Sequence, residues 1–315
     1  MKKTNTKLNA FLLAFAALIW GIAFVAQREG GEVTGPYTFT SIRYLIGAIV
    51  LIPVIKINDK TKFYGDYKPK NKEERNRLLL GGFCCGLCLT VASLLQQVGI
   101  YFGTQAGKAG FLTACYIVIV PILGLFLKKK CGVNVWIAVG ITVIGLYLLC
   151  INGSFKMETS DFLVLCCSLV YSMHILTIDH FVNKHVDPVR LSSLQFLMAA
   201  VLSAFPAFFV DMGAKPANIL PAIAVAFSGK ALITILYTGI MSSGVAYTLQ
   251  IVGQKGVNPT VASLLMSLES VFSVLAGWII LGEKLSLKEA LGCILIFGAI
   301  ILSQLPNKTK NKKAA

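Results

Sequence analysis

The segment Pro36-Tyr-Thr-Phe-Thr-Ser-Ile-Arg-Tyr-Leu-Ile-Gly-Ala48 has a counterpart 152 residues further along the chain, Pro188-Val-Arg-Leu-Ser-Ser-Leu-Gln-Phe-Leu-Met-Ala-Ala200. At this offset the opening proline, one serine, one leucine and the closing alanine are identical, and a tyrosine corresponds to a phenylalanine. A nearby offset of 153 aligns Gln97, Gly103 and Ala109 with Gln250, Gly256 and Ala262. Chance similarity between apolar helices is the alternative, but a shared X-Pro entry and shared polar positions favour an internal repeat.

Composition decides the class of protein. Of the 315 residues, 56% are hydrophobic and 14% are charged, and the formal net charge is +15. A water-soluble domain carries about 45–50% apolar and about 25% charged residues. The composition therefore excludes an ordinary soluble enzyme, a disordered chain and a disulfide-rich secreted scaffold. It predicts an all-α integral membrane protein in contact with the lipid bilayer.

Ten apolar runs are long enough to cross a membrane, since a spanning helix needs about 20 mainly apolar residues. They are Leu8–Gln27, Tyr37–Ile57, Leu78–Tyr101, Ala106–Leu127, Val133–Ile151, Phe162–Phe181, Leu191–Val210, Ala231–Gly253, Thr260–Leu281 and Leu287–Leu305. The first run follows three lysines, as a signal peptide does, but its length and the nine later runs predict an uncleaved helix.

The repeat divides these ten helices into two halves, residues 1–152 and residues 153–315 with their basic C-terminal tail. Because each half has an odd number of spans, the second half must be inserted upside down relative to the first. Inverted repeats of this kind build secondary transporters, whose substrate site lies near the membrane midplane between the halves.

The basic residues indicate the orientation. With the N-terminus inside, 21 lysines and arginines lie in the segments on that side and 7 on the other. This asymmetry predicts that both termini are cytoplasmic, in a bacterial cytoplasmic membrane. The excess of positive charge is therefore explained by the orientation of the protein in the membrane, and it gives no reason to expect a nucleic-acid partner.

Charged and ionisable residues inside spans are candidates for function because burying a charge in the membrane is costly. Arg43 lies in the second span. The alternative to a functional role is that its side chain snorkels to the membrane surface or forms a structural pair. Glu269 lies in the middle of the ninth span. It could serve in substrate binding or proton coupling, or it could form a structural pair, for instance with Arg43, and the sequence leaves both hypotheses open. His174 lies in the middle of the sixth, on the same helix face as Tyr171, where a satisfied core histidine is the alternative.

Further polar and aromatic positions are expected to line a pore or bind substrate. They are Trp20, Gln97, Tyr101, Tyr116, Tyr247 and Gln250. The repeat pairs Gln97 with Gln250, so we expect these two side chains to face each other across the symmetry axis, although interhelical hydrogen bonding is the alternative. Pro121 is expected to interrupt the fourth span and permit a kink there.

Motifs for catalysis, metal binding and nucleotide binding are missing. Gly107-Lys108-Ala109 has neither the leading glycine nor the final Ser or Thr of a P-loop, and neither H-E-x-x-H nor G-x-S-x-G occurs. Cys85 and Cys88 form a C-x-x-C pair without polar neighbours or a second pair, which predicts buried thiols. We expect no catalytic residue, no metal, no cofactor and no enzyme activity.

Three short motifs resemble the EamA family of the drug/metabolite transporter superfamily: Ala17-Leu-Ile-Trp20-Gly21, Ser41-Ile-Arg43-Tyr44 and Leu281-Gly-Glu283-Lys284. The resemblance covers Leu8–Leu305 and implies a basket-like bundle with a central cavity. Two departures are Leu127-Lys-Lys-Lys130, where many members carry an acidic residue, and Glu269-Ser270, where the family often has Glu-Pro.

The resemblance and the repeat together predict a secondary transporter or exporter of small metabolites, such as amino acids, related compounds or drugs, working by alternating access. Coupling to a proton is one open mechanism, and the oligomeric state is left open. The competing hypothesis is a membrane scaffold or receptor with no transport cycle.

Overall fold

The computed structural model describes residues 6–62, 65–104, 106–129, 131–150, 157–184, 186–281 and 286–305. Four features named above lie outside these ranges: the predicted boundary between the halves at 152/153, Lys130, the Glu283-Lys284 pair and the basic tail after Leu305. The described part of the chain is helical and contains no strand. The all-α prediction is therefore confirmed.

Fourteen α-helices are described. They are α1 (Thr6–Thr34), α2 (Pro36–Thr61), α3 (Lys72–Tyr101), α4 (Ala106–Ala114), α5 (Tyr116–Phe126), α6 (Val133–Cys150), α7 (Thr159–Val182), α8 (Pro188–Pro206), α9 (Ile219–Ala226), α10 (Gly229–Leu236), α11 (Thr248–Gln254), α12 (Pro259–Met266), α13 (Leu268–Leu281) and α14 (Leu287–Gln304). Two π-helical segments, Ala207–Asp211 and Tyr237–Tyr247, extend α8 and join α10 to α11.

Eight helical stretches among the described residues are long and apolar enough to cross a membrane. They are Lys7–Thr34, Pro36–Thr61, Lys72–Tyr101, Lys108–Phe126, Thr159–Val182, Pro188–Asp211, Gly229–Gln254 and Pro259–Ala276. α6 and α14, each 18 residues long, stand at the predicted fifth and tenth positions. They pack side by side, and a Cβ built on Gly145 would lie 2.8 Å from Ile296.

The crossing of α2 and α8 carries the symmetry that the repeat predicts. The Ser41 hydroxyl donates to the carbonyl of Ala200 at 2.9 Å, and the Ser193 hydroxyl donates to the carbonyl of Ala48 at 3.1 Å. Each residue of the first bond lies 152 positions from its equivalent in the second. Between them, the equivalent rings of Tyr44 and Phe196 stack with centroids 5.8 Å apart. The inverted repeat is therefore confirmed as a local two-fold relation between antiparallel helices.

The spans form two groups of four, each drawn from both halves of the chain. In group A, α3 packs against α7 and α8, and the α4–α5 pair packs against α7. In group B, α1 packs against α10, α11, α12 and α13, and α2 packs against the π-helical segment Tyr237–Tyr247. The α2–α8 crossing joins the two groups.

The fourth and ninth spans are each interrupted at the same repeat position. Cys115 separates α4 from α5, Ser267 separates α12 from α13, and the two residues are 152 apart. The prediction that Pro121 causes the interruption is wrong, because Pro121 lies inside α5. A proline removes only one N–H, which a packed membrane helix tolerates.

Gly82 and Gly86 let α3 approach α8 closely. A Cβ built on Gly82 would lie 2.6 Å from the Cβ of Leu194, and one on Gly86 would lie 2.6 Å from the Cβ of Met198. Small residues at such spacing allow the backbones of membrane helices to meet.

We expect Gly86→Val to destabilise the protein by about 1–3 kcal/mol, because the added methyl groups force α3 away from α8. The apparent Tm in detergent should fall. Gly140→Val is the matched control, since a Cβ built on Gly140 meets nothing within 4 Å. An equal loss of Tm in both variants would contradict the close packing of α3 on α8.

Candidate functional site

A cavity lies between group A and group B. Its apolar and aromatic wall comprises Trp20, Phe24, Tyr116, Tyr171, Ile175, Tyr247 and Met266. Its polar wall comprises Gln27, Arg43, Gln96, Thr113, Ser242, Gln250 and Glu269.

The interrupted spans and the π-helical segment supply much of this wall. Tyr116 begins α5 directly after the interruption at Cys115, and Glu269 lies in the first turn of α13 after the interruption at Ser267. Ser242 and Tyr247 lie on the π-helical segment. Irregular helices at membrane depth occur where the backbone lines a cavity or is covered by protein, and π-helical turns are frequent at functional sites.

A chain of hydroxyl groups runs along the wall from Arg43. One terminal nitrogen of Arg43 donates to the Tyr44 hydroxyl at 3.2 Å, and the guanidinium carbon lies 4.5 Å from the centre of the Tyr44 ring. The Tyr44 hydroxyl is hydrogen-bonded to Ser93, whose hydroxyl lies 3.1 Å from that of Tyr171. The Tyr171 hydroxyl lies 3.2 Å from that of Tyr247. These contacts hold the aromatic wall in one arrangement.

Arg43 and Glu269 both line the cavity and do not form an ion pair with each other. Glu269, which is 5% exposed, accepts a hydrogen bond from the Tyr116 hydroxyl at 3.0 Å. Arg43 is 2% exposed, and its Nε has no hydrogen-bond partner. The suggestion that Arg43 pairs with Glu269 is therefore wrong, because tyrosine hydroxyls take the place of an opposite charge at both residues. Because both groups line the cavity and neither has an ionic partner, both are available to a ligand.

Six of the nine residues expected to bind substrate line the cavity, and so does Arg43. The six are Trp20, Tyr116, Tyr171, Tyr247, Gln250 and Glu269. Trp20 donates from its indole nitrogen to the carbonyl of Ser242 at 3.2 Å, which ties α1 to the π-helical segment.

The other predicted positions lie outside the cavity wall. Gln97 donates to the carbonyl of Gln27, and Tyr101 is 41% exposed beside Phe102. His174 lies behind the wall, where its Nε2 is 3.0 Å from Oε1 of Gln195 and its ring packs against Tyr171. Pro121 is buried in α5.

Sequence reasoning missed Phe24 and Gln27. Phe24 and Gln27 lie four and seven residues after Trp20, so they share its helix face, and this spacing could have identified them. Gln96 lines the cavity and donates to Thr113 at 2.9 Å, whereas the repeat match had pointed to its neighbour Gln97. Thr113, Ile175, Ser242 and Met266 carry no comparable signal.

The two ends of the bundle are held by repeated contacts. We call the end that carries Lys62, Lys129, Lys184 and Lys255 the basic face, and the end that carries Thr34, Thr104 and Asp211 the opposite face. On the basic face, Arg190 of α8 pairs with Asp59 of α2. On the opposite face, the Thr38 N–H donates to Asp211 at 2.6 Å. Thr38 and Asp59 lie 152 positions before Arg190 and Asp211, so the two contacts are equivalent.

No group of three or more His, Cys, Asp or Glu residues in the described part of the chain could hold a metal ion. The thiols of Cys84, Cys85 and Cys88 are free. Within the described residues, the chemistry of the cavity is therefore that of one guanidinium, one carboxyl group, amides and hydroxyls.

Known proteins resemble this chain over almost all of its length. An uncharacterized transporter of Archaeoglobus fulgidus is 26% identical over 93% of this chain and 84% of its own length. The uncharacterized transporter YoaV of Bacillus subtilis is 24% identical over 91% of this chain and 93% of its own. A solved crystal structure with 17% sequence identity matches 94% of this chain and 96% of its own with a TM-score of 0.73, which shows a shared fold.

The model of the EamA-like transporter family matches the chain twice, over residues 7–151 and residues 159–305. The two matches correspond to the two copies of the repeat seen at the α2–α8 crossing. The chain is a multi-pass membrane protein that belongs to the EamA-like transporter family.

Proposed function

We propose that the protein is a secondary transporter that exports small zwitterionic metabolites, amino acids or compounds of similar size, from the bacterial cytoplasm by alternating access. The observation that carries the proposal is that one guanidinium, on Arg43, and one carboxyl group, on Glu269, line the same cavity without pairing with each other. A bound carboxylate at Arg43 and a bound ammonium at Glu269 would neutralise both charges.

The remaining walls favour an amphiphilic ligand of modest size. Trp20, Phe24 and the three cavity tyrosines offer an apolar and aromatic surface to the rest of the molecule. A polyanion would require several cationic groups, and among the described residues Arg43 is the only Lys or Arg in the cavity wall. We therefore place sugar phosphates and nucleotides outside the substrate class.

The repeat supports alternating access. The interruptions at Cys115 and Ser267 flank the cavity in group A and group B and offer equivalent bending points. We propose that the basic face is cytoplasmic, that both termini lie on that side and that the groups rock about the cavity. The chain would need no cofactor and catalyse no reaction.

We further propose that Glu269 couples transport to the proton gradient. Its carboxyl group can bind a proton or the ammonium group of a substrate, and the two compete for the same oxygen atoms. Proton entry from outside would then displace the substrate outward. Tyr116, which donates to Glu269 at 3.0 Å, positions the carboxyl group for either ligand.

Arg43→Gln should lower the exchange of zwitterionic amino acids in proteoliposomes by about 10- to 100-fold, because a charged hydrogen bond contributes about 1.5–3 kcal/mol. Arg28→Gln is the matched control, since Arg28 is exposed and pairs only with Glu32 on its own helix. Exchange by Arg43→Gln at the rate of the control would contradict carboxylate binding at Arg43.

Glu269→Gln should abolish substrate movement driven by a pH gradient, because glutamine cannot take up a proton. Glu32→Gln, at the exposed end of α1, should retain it. Uptake driven by an imposed pH difference in proteoliposomes is the measurement. Substrate movement driven by the pH gradient that persists in Glu269→Gln would contradict the proposal that Glu269 is the group that couples transport to protons.

A further inference from the structure

We propose that the hydrogen bond from Gln97 to α1 is a latch, a contact that holds the cavity closed at the opposite face, and that Gly31 makes room for it. Gln250 is the equivalent residue toward the basic face, where the corresponding bond is not formed. The inference rests on the proposed alternating-access function and concerns how the same cavity opens and closes. It is carried by a difference between two contacts that the repeat makes equivalent.

The latch joins group A to group B at the opposite face. Gln97 of α3 is fully buried, and its Nε2 donates to the carbonyl of Gln27 in α1 at 2.9 Å. A Cβ built on Gly31, one turn further along α1, would lie 2.4 Å from that nitrogen. A side chain at position 31 would therefore displace the Gln97 amide from its present position.

The repeat defines the equivalent contact toward the basic face. Gln27 and Gly31 correspond to Asp179 and Asn183 at the offset of 152, and Gln97 corresponds to Gln250 at the offset of 153. An equivalent latch would join the Gln250 amide of α11 to the Asp179 carbonyl of α7. These two helices are in contact, so the elements needed for such a latch are already adjacent.

That second latch is not formed, and one side chain explains why. Nδ2 of Asn183 donates to the Asp179 carbonyl at 2.8 Å, so this carbonyl already has a side-chain donor from its own helix. Gln250 lines the cavity, and its buried Oε1 has no partner. Its Oε1 can therefore accept from a substrate, and a turn of the same amide would present Nε2 to the Asp179 carbonyl in another state.

The contact of Gln97 and its counterpart on the basic face are consequently unequal, although the Arg190–Asp59 ion pair also joins the two groups on the basic face. The Gln97 bond on the opposite face is buried, whereas the bond from the Gly256 N–H to Oδ1 of Asn183 on the basic face is exposed and 3.3 Å long. A hydrogen bond shielded from water resists opening more than an exposed one. At these two equivalent positions, the difference between Gly31 and Asn183 therefore favours closure at the opposite face.

The test measures sided access to the cavity without substrate. Ser242→Cys introduces a near-isosteric thiol into the wall, and its labelling by a membrane-impermeant maleimide is quantified by peptide mass spectrometry in vesicles of each orientation. Gly31→Ala and Gln97→Leu should each raise labelling from the opposite face by about two- to tenfold, the effect expected for loss of one buried neutral hydrogen bond. Gly140→Ala is the control for adding a methyl group to a helix.

Control-level labelling from both faces in Gly31→Ala and Gln97→Leu would overturn the latch. Gln97→Leu adds no atoms to α1, so it decides the question if Gly31→Ala fails to fold. Altered labelling in a protein that exchanges no substrate would support the latch and reject the transport function. Unaltered labelling in a protein that exchanges substrate would reject the latch and support the transport function.

Discussion

The crossing of α2 and α8 is the contact on which the rest of the structure depends. Two reciprocal bonds, from Ser41 to Ala200 and from Ser193 to Ala48, fix the two halves of the chain in an antiparallel register. The same crossing sets Tyr44 against Phe196 and so places Arg43 at the cavity wall. A register shift along α2 would move the only Lys or Arg that lines the cavity in the described structure.

Burying charges in a membrane protein requires a compensating device, and here the device is a set of hydroxyl groups. Tyr44 accepts from Arg43, and Tyr116 donates to Glu269, so each charge is solvated by a neutral side chain. An ion pair between the two would have neutralised them and left the cavity indifferent to charged ligands. Keeping them apart leaves the guanidinium and the carboxyl group available to a ligand, which is the physical basis of the proposed zwitterion site.

Much of this architecture could be predicted from the sequence. Composition indicated the membrane, the repeat indicated two inverted halves, and the cost of buried charge identified Arg43 and Glu269. The repeat match could not separate Gln96 from Gln97, because adjacent helical residues point about 100° apart and the offset changes from 152 to 153 along the chain. Nor could the sequence place the interruption at Cys115, since the residues around Cys115 carry no signal comparable to the proline at position 121.

The partners of Arg43 and Glu269 were also beyond the sequence. Opposite charges suggest pairing, but α2 and α13 hold the two side chains apart, and only the packed tyrosines reveal the alternative.

The most direct measurement of the central claim is solute counterflow by the wild-type protein in proteoliposomes. An amino acid would be compared with its amide, which lacks the carboxylate, and with its deaminated acid, which lacks the ammonium group. The account predicts exchange of the zwitterion and at least tenfold slower exchange of both analogues. Equal exchange of all three, or of none, would contradict it.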